Sequence, residues 1–460
     1  MKMIKIILSG FVLALFTHSI NAQTIENASL QDDFQTYLNV IHAKKGFSGE
    51  ILVAKANDVL FRSSVGMASL EHELKITNGS KYKIASITKT FTGALVAMAQ
   101  EEGQLNFEDK ACKFIEDLSE KFKEVTIHQL LTHTSGLPHN EGITDYWPIK
   151  SKLQLNKEQA IAEINELDLL FTPGSKMHYS SLGYYLLSTI LEVLYQDSFE
   201  NIVTDKILRP LQMEETGSVN SLKIIPHMVS GYHLISDDSL VHAPYRNYSL
   251  LKGAGDMYSS ATDLLKWNNS FLNNTLLSED KQKLLFTTYA IPHSAENKNY
   301  GYGWFINSSQ PEKYYHGGGT WGFSTYTALY PKDKISIIVL SNRSSLPIES
   351  IAGDIEKLVF NREFEMPQIE VAQTTNPINF QIYPGNFISD SGKMKLQITS
   401  INNKLMAQLA GNPAFEIYPK GQHAFFGKKV ELAIEFEVEN EVVTGLSVLR
   451  MGQTFHFKKL

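Results

Sequence analysis

Strand-like sequence lies at two places far apart in the chain, with helical sequence between them. Near the amino end, "GEILVAKANDVLFRSSVGMAS" reads as two short strands around the turn "AND". From Tyr300 onward, "GYGWFIN", "KYYHGG", "STYTALYP" and "KISIIVLSN" are four more, and the helix "IESIAGDIEKLVF" follows. The region between is helical and loop-rich. It holds "LGYYLLSTILEVLYQ", whose Leu187, Ile190, Leu191 and Leu194 share one face. It also holds "SSATDLLKWNNSFL", opened by Ser260 and Asp263 at capping-box spacing. This order predicts an α/β (α+β) domain: one antiparallel sheet built from both ends, flanked by helices, with a helical insertion.

A helix over "DDFQTYLNVIHAKKGF" precedes the first strands and stops near Gly46. Residues 361–379 are polar, contain two prolines and read as a linker. Beyond them, residues 380–460 alternate strand and turn, as a small all-β barrel or sandwich would. The catalytic candidates therefore fall within residues 23–360.

Residues 1–22 stand apart. Lys2 and Lys5 precede the apolar run Ile6–Phe16, and small or polar residues follow near Ala22. This is the layout of a secretory signal peptide, too short for a membrane span. A secreted or periplasmic location is therefore expected. Cys112 is the only cysteine, so no disulfide forms within the chain. Lys plus Arg number 42 against 49 acids, with no long basic run, so nucleic acid is not an expected partner.

The stretch "KYKIASITKTFTGALV" places Ser86 at the entrance of an apolar helix and Lys89 three residues later. Positions i and i+3 share a helix face, so the lysine projects beside the serine. A serine hydroxyl needs a nearby base, and burial together with the helix N-terminus favours a neutral amine. Taken alone, the pair is more often a serine N-cap with a surface lysine. "FTPGSKMHYSSLGY" places Tyr179 between a Pro-Gly turn and a strong helix, where its phenol can relay protons if cations lower its pKa. "YYHGGGTWGF" sets His316, Gly317, Gly318 and Gly319 on a strand, and glycines there mark a close approach by ligand or backbone. His128, His133 and His139 fit no common metal spacing, and His133 reads as a bond to loop backbone. Tyr302, Trp304 and Trp321 are either cleft lining or core.

Ser86-x-x-Lys89, Tyr179-Ser180-Ser181 and His316-Gly317-Gly318, in that order, resemble the serine β-lactamase and penicillin-binding-protein superfamily. The class C-like branch, with its esterases and D-aminopeptidases, is the nearest in look. "VTIHQLLTHTSGLP", "ILRPLQMEETG" and "GAGDMYSSATDLLKW" add to the likeness. The resemblance implies an acyl-enzyme on Ser86, Lys89 as base, and Tyr179 passing the proton to the leaving group. It also implies an oxyanion hole from the Ser86 and Gly319 N–H groups, and no metal or cofactor. Ser181 stands where class C enzymes carry asparagine, and His316-Gly317 stands where β-lactamases carry Lys-Thr. These departures point away from penicillin and toward a small ester, amide or peptide. The expected function is an exported esterase, amidase or peptidase. The alternatives are a DD-peptidase or D-aminopeptidase, a weak β-lactamase, and a non-catalytic sensor keeping the fold.

The first prediction concerns processing. Intact-mass measurement of protein recovered from a secreting host is expected to show loss of about 22 residues. A full-length chain retained in the cytoplasm would contradict it.

Overall fold

The structure is a computed structural model that describes residues 30–460 apart from 221, 237–238, 290–298, 345, 368–378, 391, 393, 411–413, 428–431 and 451–452. The signal segment and most of the linker lie outside the described residues. A seven-stranded antiparallel sheet forms the centre. Its strands are β1 (Gly49–Lys55), β2 (Asp58–Val65), β3 (Asn299–Tyr300), β4 (Phe305–Asn307), β5 (Lys313–Thr320), β6 (Phe323–Tyr330) and β7 (Ile335–Ser341). Their spatial order is β3-β4-β5-β6-β7-β1-β2. The β1–β7 pairing, Gly49 opposite Ser341 through Lys55 opposite Ile335, joins the two ends of the domain as the sequence predicts.

Alternation along β1 and β7 explains why these strands read as continuous apolar runs. Ile51, Val53, Ile337 and Val339 pack under the helices over 30–45 and Ile348–Val359. Leu52, Ile338 and Leu340 face the opposite way, into the core of the helical insertion. With both faces covered, the two strands are apolar apart from the buried Glu50, Ser336 and Ser341 and the end residue Lys55. Ser260 caps the helix Ala261–Leu272 through the Asp263 N–H. Only that half of the capping box forms, because the Asp263 carboxylate instead accepts from Glu215 N and Thr216 Oγ1.

The carboxy-terminal strands close into an eight-stranded barrel, so the choice between barrel and sandwich falls to the barrel. Closure comes from pairing its first and last strands, Phe387 opposite Lys459. The barrel strand Phe415–Pro419 touches the strand Tyr232–Ser236 of the larger domain. Among the described residues, no helix is long and apolar enough to cross a membrane.

Strand β5 carries the three glycines. Its partner on one side, β4, reaches only Tyr315, so the glycine half is an open edge. A Cβ on Gly318 would lie 2.1 Å from the Ile84 carbonyl oxygen and 2.4 Å from Thr325 Oγ1. On Gly319 it would meet nothing within 4 Å. Gly318 is thus required by the backbone of the turn that carries Ser86, the close approach that the sequence foresees. Urea unfolding is expected to show Gly318→Ala destabilised by about 1–3 kcal/mol. Gly319→Ala should stay within about 0.5 kcal/mol of wild type. Equal stability of the two variants would contradict this packing.

Candidate active site

Ser86 sits in a short 3₁₀ turn, Ala85–Ile87, that leads into the helix Thr88–Glu101. Ala85, just before it, holds φ at +47°, a strained conformation for a residue with a side chain. The helix N-cap is Ile87 and makes no side-chain cap bond, so the Ser86 hydroxyl is not spent on capping. Thr88 Oγ1 braces the turn by donating to the Ala85 carbonyl at 2.7 Å.

Lys89 is wholly buried while Ser86 remains partly accessible. The lysine Nζ lies 3.3 Å from Ser86 Oγ, 3.2 Å from Ser181 Oγ and 2.7 Å from the Ala254 carbonyl oxygen. Its ammonium also faces the Tyr179 ring, 4.8 Å from the centroid. No carboxylate pairs with it among the described residues. Burial therefore pushes its pKa down to about 7, where the neutral amine is well populated. The Ala254 carbonyl is held by its loop: Gly253 N–H donates to Asp256 at 2.9 Å, and Thr92 Oγ1 donates to the Gly253 carbonyl at 2.6 Å.

Tyr179 precedes Ser180, whose side chain accepts from Gly183 N–H and starts the helix Ser181–Tyr195. Desolvation raises the Tyr179 phenol well above the usual range, although a hydrogen bond with Ser86 works against it. The ring packs against His133, with centroids 4.3 Å apart and the planes tilted by 39°. His133 is buried in the left-handed region, φ +61°, and its Nδ1 accepts from Ser180 N–H at 3.1 Å. The backbone role expected of His133 is therefore the one it has, and it fixes the Tyr179 loop.

Several expectations need correction. The idea that cations lower the Tyr179 pKa fails, because desolvation dominates and the group stays a neutral phenol. An ordinary imidazole pKa would give His316 a partial charge near neutral pH. His316 is buried, and desolvation together with the nearby Lys89 pushes its pKa down to about 3. Its Nδ1 lies 2.6 Å from the Gly317 carbonyl oxygen and so carries the proton. That leaves Nε2 as an acceptor 3.3 Å from Tyr300 Oη and 3.5 Å from Tyr179 Oη. Ser181, where class C enzymes carry asparagine, is buried and bonds to Lys89 and His139. Trp304 and Tyr302 are core residues, which leaves only Trp321 at the rim.

Sequence reasoning also missed the surroundings of Lys89. His139, weighed only as a metal ligand, lies 3.1 Å from Ser181 Oγ through Nε2 and 2.7 Å from Glu141 through Nδ1. The three histidines serve separate partners, with His128 bonded to Tyr302 at 2.8 Å. A histidine and a glutamate directly after "HTSGLP" were the available signal. At the rim, the Arg246 guanidinium donates to Thr320 Oγ1 at 3.2 Å, one residue beyond Gly319. It packs against the rings of Tyr146, Trp147 and Trp321 and has no carboxylate partner among the described residues.

A nucleophile-ready serine, a buried lysine one helical turn later and a glycine strand beside them define a serine hydrolase of the Ser-x-x-Lys class. The chain belongs to the Beta-lactamase family, whose model matches residues 39–356. It is 27% identical over 439 residues to penicillin-binding protein 4* of Bacillus subtilis, covering 91% of this chain and 96% of that protein. Its fold matches the octameric penicillin-binding protein homologue from Pyrococcus abyssi, with TM-score 0.64 and 22% identity over 94% of this chain and 99% of the other. It also matches the D-amino acid amidase from Ochrobactrum anthropi, with TM-score 0.64 and 18% identity over 72% and 99%.

If Lys89 must be neutral to accept the Ser86 proton, acylation slows as pH falls through its pKa. The acylation rate constant for an activated ester is expected to drop tenfold per unit below about pH 7 and to level off above it. Lys89→Ala should cost at least about a hundredfold on the plateau. A flat profile between pH 5 and 9 would contradict a lysine base.

Proposed function

We propose that the protein is an exported serine hydrolase that forms an acyl-enzyme on Ser86 with small esters, amides or short peptides. The observation that carries this reading is the buried Lys89 amine, without a counter-charge, 3.3 Å from Ser86 Oγ. The Ser86 oxygen attacks the substrate carbonyl carbon while its proton passes to Lys89. The bond to the leaving group then breaks, and the proton reaches that group through the neutral Tyr179 hydroxyl, which gives up its own proton as it takes one. Backbone N–H groups of Ser86 and Gly319 are suited to the developing oxyanion, and water completes hydrolysis by the reverse route. Export rests on the pattern of residues 1–22.

His316 is neutral, so the cation that would hold a β-lactam carboxylate is missing. A lost charge-assisted contact costs about 1.5–3 kcal/mol, roughly tenfold to a hundredfold in binding. The unpaired Arg246 favours a second reading, a carboxypeptidase for peptides with a free terminal carboxylate.

Specificity constants for p-nitrophenyl esters, nitrocefin and D-Ala-terminated peptides separate these readings. Short esters are expected to exceed nitrocefin by about tenfold or more, and Ser86→Ala is expected to abolish turnover of all three. If peptides prove best and Arg246→Gln lowers them alone, the carboxypeptidase reading replaces the esterase one. Preference for nitrocefin over esters would refute both.

A further inference from the structure

The turn after His133 carries two side chains that the proposed mechanism leaves unused, and both lead back to its base. Glu141 Oε2 lies 2.7 Å from His139 Nδ1, His139 Nε2 lies 3.1 Å from Ser181 Oγ, and Ser181 Oγ lies 3.2 Å from Lys89 Nζ. We propose that Glu141 and His139 are positioning residues that set the direction of the Ser181 hydroxyl and so leave the Lys89 lone pair free for Ser86. This rests on the reading of Ser86 and Lys89 as nucleophile and base.

A neutral amine has two N–H donors and one lone pair, and Lys89 faces three oxygens. The Ala254 carbonyl can only accept, so it takes one N–H. If Ser181 donates its hydrogen to Lys89, the second N–H turns to Ser86, and the nucleophile loses its base. If the Ser181 hydrogen is taken elsewhere, Ser181 accepts the second N–H, and the lone pair is left facing the Ser86 hydroxyl. The direction of one O–H therefore separates an idle from a competent arrangement.

His139 Nε2 takes that hydrogen only when the ring proton is on Nδ1. A carboxylate 2.7 Å from Nδ1 selects this tautomer, since two lone pairs cannot approach so closely. The Asn140 N–H lies 2.8 Å from the same nitrogen and competes for it. The charge-assisted bond to Glu141 is about twice as strong as a neutral one and prevails. The Glu141 pKa is lowered chiefly by its bond to His139, as this pairing requires. Ser181 is 3% exposed, so the bond to His139 is made away from bulk solvent. The His139 and Glu141 side chains are 26% and 58% exposed, so replacing Glu141 leaves the core untouched.

The test has a resting-state arm and a kinetic arm. ¹⁵N spectra of histidine-labelled protein, assigned by loss of a signal in His139→Gln, are expected to show His139 protonated at Nδ1 and bare at Nε2. In single-turnover acylation, His139→Leu is expected to lose about tenfold or more in rate, with KM within about twofold. His139→Gln, whose amide oxygen can accept the Ser181 hydrogen, should recover to within about threefold of wild type. Glu141→Gln, on an exposed side chain, should lose rate without any change in melting temperature. An Nε2–H tautomer, a wild-type rate in His139→Leu, or equal losses in the Leu and Gln variants would overturn the proposal. Failure of the Ser86 reading appears separately, as absence of fluorophosphonate labelling on Ser86 in wild type, and leaves the tautomer measurement decisive.

Discussion

The site depends on one costly act of burial, the removal of the Lys89 amine from water without a carboxylate to meet it. Desolvating an ammonium carries a penalty of several kcal/mol. A buried group without a counter-charge responds by giving up its charge. The Thr88–Glu101 helix lies in the main core, packed against the Ser181–Tyr195 helix and the helix Glu279–Leu285. Packing of that kind sets the amine where only three oxygens reach it. Its low pKa, the uncapped Ser86 hydroxyl and the Gly318 approach all follow from holding this helix start in place.

The rest of the site is nearly free of charge. His316 is neutral, Tyr179 remains a phenol, and burial also pulls the His133 pKa well below its usual value. Such surroundings neither repel an uncharged carbonyl substrate nor offer a cation to an anionic one. Among the described residues charge returns at the margins, with Glu141 bonded to His139 Nδ1 and Arg246 beside Thr320.

Much of this was legible in the sequence. Alternation and turn residues marked the strands at both ends, and helical spacing put Lys89 beside Ser86. Barrel closure was not legible, because it depends on Phe387 meeting Lys459 across the whole carboxy-terminal domain. The bond from His139 to Ser181 joins two loops through space, and no local pattern signals it. The Ala254 carbonyl is invisible for a different reason, since any residue type supplies one. His316 was misjudged because the sequence gives its intrinsic pKa and not its burial. Tyr302 and Trp304 look the same as core or as cleft until the packing is known.

The central claim is that Lys89 is neutral near physiological pH because the fold desolvates it. A ¹³C NMR titration of the lysine ε-carbons in the Ser86→Ala protein, with the Lys89 signal identified by its loss in Ser86→Ala/Lys89→Arg, tests this without turnover. The account predicts that the Lys89 ε-carbon titrates with a midpoint at about pH 7. A Lys89 midpoint near 10 would contradict it, because the residue would then be a structural cation and Ser86 would have no base.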